Sequence, residues 1–235
     1  MSDETAIQVN FGRPLPLFPL DSVSLLPQQV LPVHIFEPRY RQMIEHSLDG
    51  AGQIAMCIFS GNAWKENYHG RPPLRRAVCI GQIVQHERLE DGRFNILMQG
   101  VCRAKLVREL PASEDRLYRV GMLEPVGLDY AGHEDLSHVR DEIGKLLIAG
   151  GLSKFSTARP VLEWLNNEEI PSAVLLELVT FAMITEPKLR YKLLAEPDAG
   201  VRSSLILAEL EHLDRMVIQA KAQQPEDWPK GCSWN

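Results

Sequence analysis

Leu15-Pro16-Leu17-Phe18-Pro19-Leu20 and Leu31-Pro32-Val33-His34-Ile35-Phe36-Glu37-Pro38-Arg39-Tyr40-Arg41 decide how this chain begins to fold. Each is a short apolar run broken by proline. Proline removes a ladder donor, which confines its strand to an edge, an end or a bulge. The second run leads straight into a helical pattern. Tyr40, Met43, Ile44 and Leu48 recur at helical spacing, and Pro38 suits a first helical turn. Two proline-broken strands feeding a helix at about 38–48 point to a small, irregular, barrel-like sheet.

Working outward, Asp49-Gly50-Ala51-Gly52 breaks that helix, and Gln53–Phe59 reads as a buried strand. Val78–Leu89 and Arg93–Val101 flank Glu90-Asp91-Gly92, where Asp-Gly predicts a hairpin with a type I′ turn. Beyond the turn Phe94, Ile96, Met98, Cys102, Ala104 and Leu106 share one parity, so one face of this strand meets a core. Leu117–Val126 is a further strand. From about Asp129 the period becomes helical. Leu136, Val139, Ile143 and Leu146 give one helix, closed by Gly150-Gly151. Pro171–Met183 gives a second, with Glu168 and Glu169 where the helix dipole favours anions. Thr185-Glu186-Pro187 opens a short third. Asp198 suits the cap of a long last helix, whose Ile206, Leu210, Leu213, Val217 and Ala220 form a seam. The expected fold class is α+β: a β subdomain over 1–128, a helical subdomain over 129–224, and a flexible tail over 225–235 that carries Trp228 and Trp234.

Composition narrows the function. The chain has 235 residues, enough for one large domain or two small ones, with 45% hydrophobic and 24% charged residues. Its net charge of −6 argues against nucleic acid as the main partner. The acidic start is no secretory signal, and no apolar run approaches the roughly 20 residues that span a bilayer, so a cytoplasmic protein without a membrane partner is expected. Cys57, Cys79, Cys102 and Cys232 are scattered and read as reduced, structural thiols.

The common catalytic signatures are missing. There is no G-x-x-x-x-G-K-[ST], and Gly144-Lys145 lies inside a helix without the upstream glycine. G-x-S-x-G, H-E-x-x-H and S-x-x-K do not occur. His133 and His138 are five apart, one step off the spacing that puts two metal ligands on one helix face. His34, in an apolar strand, is expected to be a hydrogen-bonded core or groove histidine. No enzyme, cofactor or metal is expected.

The ordered set of segments resembles the N-terminal domain of Lon proteases, and free-standing proteins that contain only that domain. The likeness runs over about 13–220. It is carried by the proline-rich opening, Phe36-Glu37-Pro38-Arg39-Tyr40-Arg41, Cys79-Ile80-Gly81-Gln82-Ile83-Val84, Leu89 to Val101, Ile170-Pro171-Ser172 and the run Leu175 to Leu213. The resemblance implies a PUA-like small β-barrel subdomain followed by a helical bundle. It also implies a protein-binding module without the ATPase and Ser-Lys protease modules of that family. Pro171-Ser172-Ala173 matches a fragment of the family's protease signature by letters alone and reads as a cap turn. The expected partners are unfolded or degron-bearing polypeptides, with a separate protease or chaperone downstream.

The expected peptide-binding residues are Trp64, Tyr68 and Arg71, together with Phe36. The first three lie in the long connection Ser60–Arg76, where Lys65, Arg71, Arg75 and Arg76 face the single acid Glu66. A shallow apolar groove between barrel and helical bundle is expected to add to them. The same loop also suits a solvated connection whose Trp64 tucks back onto the sheet. Two other functions fit the sequence: an RNA-binding PUA-like module, and a structural dimer joined through the last helix. The oligomeric state is open.

Overall fold

The prolines of β1 (Leu15–Leu20) show how the sheet closes. The structure is a computed structural model that describes residues 7–22, 25–127 and 136–222. β1 pairs in parallel with β3 (Gln53–Ile58) over Leu17–Leu20, and antiparallel with β6 (Arg119–Pro125) over Leu15–Leu17. Pro16 therefore has a ladder partner only on the β6 side, and Pro19 only on the β3 side. A proline with one paired side costs no second ladder bond, so β1 lies inside the sheet despite its two prolines.

Around it come β4 (Ala77–Arg88) and β5 (Phe94–Glu109), and β2 (Val30–Ile35) lies at the end. The order is β2-β5-β4-β3-β1-β6, and β5 also pairs with β6. β5, β4, β3, β1 and β6 thus form a closed circuit, with β2 as a branch on β5. The length of β5 makes this possible. Its first half pairs with β2 and its second half with β6, and β4 runs beside both. Phe94, Ile96 and Met98 join one buried cluster with Tyr40, Met43 and Ile44, whereas Ala104 and Leu106 join another with Leu15, Leu17 and Ile80. The strand bends where Gly81 faces Gly100, next to a register shift. A Cβ on Gly100 would stand 2.1 Å from the backbone oxygen of Leu26, so only glycine lets the 26–29 turn lie against β5.

α1 (Pro38–Leu48) has proline in its first turn and buries Tyr40, Met43 and Ile44, as its spacing predicts. The β4–β5 turn differs from the type I′ expectation. Positive φ occurs at Gly92 (78°) and not at Asp91. Leu89 N–H donates to the Arg93 carbonyl and Gly92 N–H to the Leu89 carbonyl, at 2.8 and 2.9 Å. This is the three-residue hairpin, a type I turn closed by a left-handed glycine. The Asp91 carboxylate accepts from Arg93 N–H and holds the turn.

The helices are α2 (Ser137–Ala149), α3 (Ala158–Leu165), α4 (Ser172–Met183), α5 (Pro187–Ala195) and α6 (Ala199–Ala222). α3 goes unpredicted because it is short and has Pro160 in its first turn, although Ala158, Val161 and Leu165 are buried at helical spacing. The chain forms two compact units, one of Met1–Ala131 with Thr185–Asp198, the other of Gly132–Ile184 with Ala199–Asn235. α5 therefore belongs with the sheet, where the sequence reading kept all of 129–224 helical and separate. It docks on β4. The Tyr191 hydroxyl accepts from Ala77 N–H at 3.1 Å, and Arg75 stacks over the Tyr191 ring. In the other unit, Val139, Ile143 and Leu147 of α2 are buried, as are Ile206 and Leu210 of α6. The last helix's seam is partly open from Leu213 onward. His133, Cys232, Trp228 and Trp234 lie outside the described residues.

Candidate functional site

β2 is the open edge of the sheet. Gly100 N–H donates to the Gln29 carbonyl and Gln28 N–H to the Gly100 carbonyl, which sets the phase of the antiparallel ladder. Counting by twos, Leu31, Val33 and Ile35 exchange bonds with Met98, Ile96 and Phe94. Val30, Pro32 and His34 then turn their backbone groups outward, and no described strand meets them. Pro32 removes one donor from the middle of that edge, a common device against uncontrolled strand pairing. Val30 and Phe36 are exposed, Phe36 by 61%.

His34 is exposed rather than in the core, and hydrogen-bonded as expected. Its Nδ1 lies 2.8 Å from Asn95 Oδ1 and its Nε2 lies 3.2 Å from Arg93. Asn95 Nδ2 in turn donates to Glu87. The His34 and Phe36 rings stack at 6.2 Å.

The loop after β3 closes onto the end of β2. The Tyr68 hydroxyl donates to Glu37 Oε1 at 2.6 Å, and Arg39 donates to the Tyr68 carbonyl at 3.3 Å. Arg39 also pairs with Glu37 at 3.0 Å, and its guanidinium lies over the rings of both Tyr40 and Tyr68. Burial and the bond to Glu37 raise the Tyr68 hydroxyl above the ordinary tyrosine range, and Arg39 offsets them only in part. Trp64 stacks on the buried Phe59 at 5.3 Å and meets the Tyr68 ring edge-on at 6.1 Å. The tryptophan therefore does tuck back onto the sheet, with its ring still half-exposed.

The structure brings Trp64 and Tyr68 together and ties Tyr68 to Glu37, the residue after Phe36. Arg71 lies elsewhere. It donates to Glu109 and to the Leu110 carbonyl, and Arg119 binds the same carboxylate at 2.8 Å while donating to the Pro72 carbonyl. Burial would raise Glu109, but Arg119 and Arg71 outweigh it and hold this carboxyl below the usual range. Arg71 is thus a pin for the loop, and Arg75 is occupied by Tyr191. Two of the four cations of the loop are thus held by contacts within the fold. Sequence reading missed Glu37 and Arg39 as partners of the loop, because Tyr68 reaches Glu37 across 31 residues.

The Ser172 Oγ accepts from Arg140, whose guanidinium also holds the carbonyls of Leu165 and Asn167. Lys145 lines the same cleft of about 830 Å³, but it is paired with Glu142 at 2.7 Å. That bond raises the Lys145 ammonium, the opposite of what a serine–lysine base needs. Among the described residues no group of three His, Cys, Asp or Glu side chains has a metal-binding arrangement, and no helix is long and apolar enough to cross a membrane.

Residues 14–212 match the family described as the ATP-dependent protease La (LON) substrate-binding domain. The chain belongs to that family. It is 25% identical over 214 residues to the Lon protease of Desulfovibrio desulfuricans, an alignment covering 89% of this chain and 23% of that protein. The chain thus spans about a quarter of the length of this curated relative. Two solved structures share the fold. The N-terminal domain of the Mycobacterium avium complex Lon protease superposes with a TM-score of 0.64 at 18% identity, covering 85% of this chain and 98% of that one. A Lon N-terminal domain protein from Xanthomonas campestris gives 0.56 at 20%, covering 83% and 98%.

Proposed function

We propose that the protein is a non-catalytic module that captures unfolded or degron-bearing polypeptides, and that an extended segment of the client adds to the free edge of β2. The observation that carries this reading is the outward row of unpaired backbone groups at Val30, Pro32 and His34, ending at the exposed Phe36. Edge strands with free donors and acceptors take an added strand, and neighbouring apolar side chains hold its alternate residues. Tyr68, bonded to Glu37, and Trp64 against its ring extend the apolar surface past the end of the strand. Family membership supports polypeptide as the ligand class. A separate protease or chaperone then receives the client.

Anisotropy of a fluorescein-labelled peptide of alternating apolar residues tests this. Phe36→Ser, or N-methylation of alternate peptide amides, is expected to weaken binding roughly tenfold. Trp64→Ala with Tyr68→Ala is expected to weaken it further. Equal binding of the methylated and unmethylated peptides would reject strand addition.

A further inference from the structure

A second recess lies in the same unit, away from the β2 edge. It holds about 390 Å³ between the segment that leads into β1, the end of α1 and the start of β6. Its walls include Pro14, Pro16 and Val120, and Arg13, His46 and Tyr118 line it. This volume suits one or two residues of a ligand. Among the described residues no carboxylate lines it. Two other clefts among the described residues differ in this respect, one carrying Glu87 and the other Asp141 and Glu168.

Arg13 and His46 are placed by the fold. Asn10 accepts from Gly12 N–H through its side chain and from Arg13 N–H through its carbonyl, which makes the turn that presents Arg13. Val9 and Phe11 pack on the core beneath it, and Gln53 donates to the Gln8 carbonyl, so this segment is anchored on both sides. Arg13 is exposed and pairs with no carboxylate among the described residues. His46 Nδ1 lies 3.0 Å from the Tyr118 hydroxyl, and the two rings meet edge-on at 5.7 Å. That contact occupies Nδ1 and holds the imidazole in place.

We infer that this recess receives the C-terminal end of a polypeptide. The free α-carboxylate lies against Arg13 and His46, and the last side chain rests on the proline-lined wall. The reasons are the charge complementarity of a lining with two basic side chains and no acid, and the apolar walls beside them. An arginine fork matches a carboxylate in geometry and charge, and capture of a terminal carboxylate is a recurring mode of peptide recognition. The inference rests on the reading of the protein as a polypeptide binder and adds a second anchor to it.

The test uses one unstructured apolar peptide made as the free acid and as the C-terminal amide, with sodium acetate as a small-carboxylate probe. Anisotropy gives affinity and NMR shift changes give the location. The acid is expected to bind about tenfold more tightly than the amide, in keeping with charge-assisted hydrogen bonds. It is also expected to move the signals of Arg13, His46 and Tyr118. Arg13→Gln and, separately, His46→Gln should erase the difference between acid and amide. Equal affinity of acid and amide, with shifts only at Phe36 and Trp64, would overturn this inference and leave strand capture standing. Acid-dependent shifts at the recess with Phe36 and Trp64 unmoved would uphold it and reject the edge site. Saturation by acetate at the peptide's own concentrations would overturn it in favour of a small-carboxylate site.

Discussion

Glu109 shows how a single carboxylate can organise a long loop from behind. It binds Arg71 from the loop and Arg119 from β6, and Arg119 reaches on to the Pro72 carbonyl. Its pKa is depressed in the fold by those two guanidiniums, against the effect of burial. A depressed carboxylate contributes stability that is present above its ordinary value of 4.5 and is lost as the pH falls through the folded value. Glu109→Gln should therefore lower stability near neutral pH. Its deficit against the wild-type chain should shrink as the pH drops below about 4.5, in urea titrations run at several pH values. A deficit that stayed constant with pH would place the loss in packing instead of charge. At this scale residue type shows Phe36, Trp64 and Tyr68 as aromatic side chains and Arg71 as a cation, but not the Glu109 that binds Arg71 from 38 positions away.

At the scale of elements, periodicity told most. α1 appears over its predicted span, and the core parity of β5 from Phe94 to Leu106 holds, apart from the half-buried Cys102. What periodicity lacked was pairing. The prolines of β1 read as an edge, an end or a bulge, and the strand lies between β3 and β6 with each proline paired on one side only. Two glycines show how differently elements tolerate a side chain. Gly100→Ala would drive a Cβ into the Leu26 backbone at 2.1 Å, and should cost about 3 kcal/mol or more, since backbone cannot rotate away. Gly144→Ala in the middle of α2 meets no atom within 4 Å. It should be stabilising by about 0.5–1 kcal/mol through helix propensity and a less flexible unfolded chain. Thermal melts of both variants check the contrast, and similar shifts in both would contradict the tight approach at Gly100.

On the scale of the whole molecule, the decisive feature is that the chain returns to the sheet unit after α4. Leu193 and Leu194 of α5 are each 1% exposed, Arg103 donates to the Leu193 carbonyl, and Arg190 bonds Gln29 at 2.9 Å. A fragment ending at Ala131 would leave these groups without partners. It is expected to be less stable than the full chain by about 3–5 kcal/mol, in line with removal of large buried side chains. Urea denaturation followed by the fluorescence of Trp64 reports this in the fragment, where Trp64 is the sole tryptophan. A fragment as stable as the full chain would show that α5 only rests on β4.

The sequence by itself determined the α+β class, the proline-marked opening strands, most helices and the family, because these rest on local periodicity, turn chemistry and the order of short motifs. Tertiary structure alone decided the closed strand circuit, the outward face of β2, the return of α5, the pairing of Arg71 with Glu109 and the recess at Arg13 and His46. Each of these depends on groups tens of residues apart meeting in space. Their pairing free energies come from the geometry of the folded chain and leave no periodic trace along it.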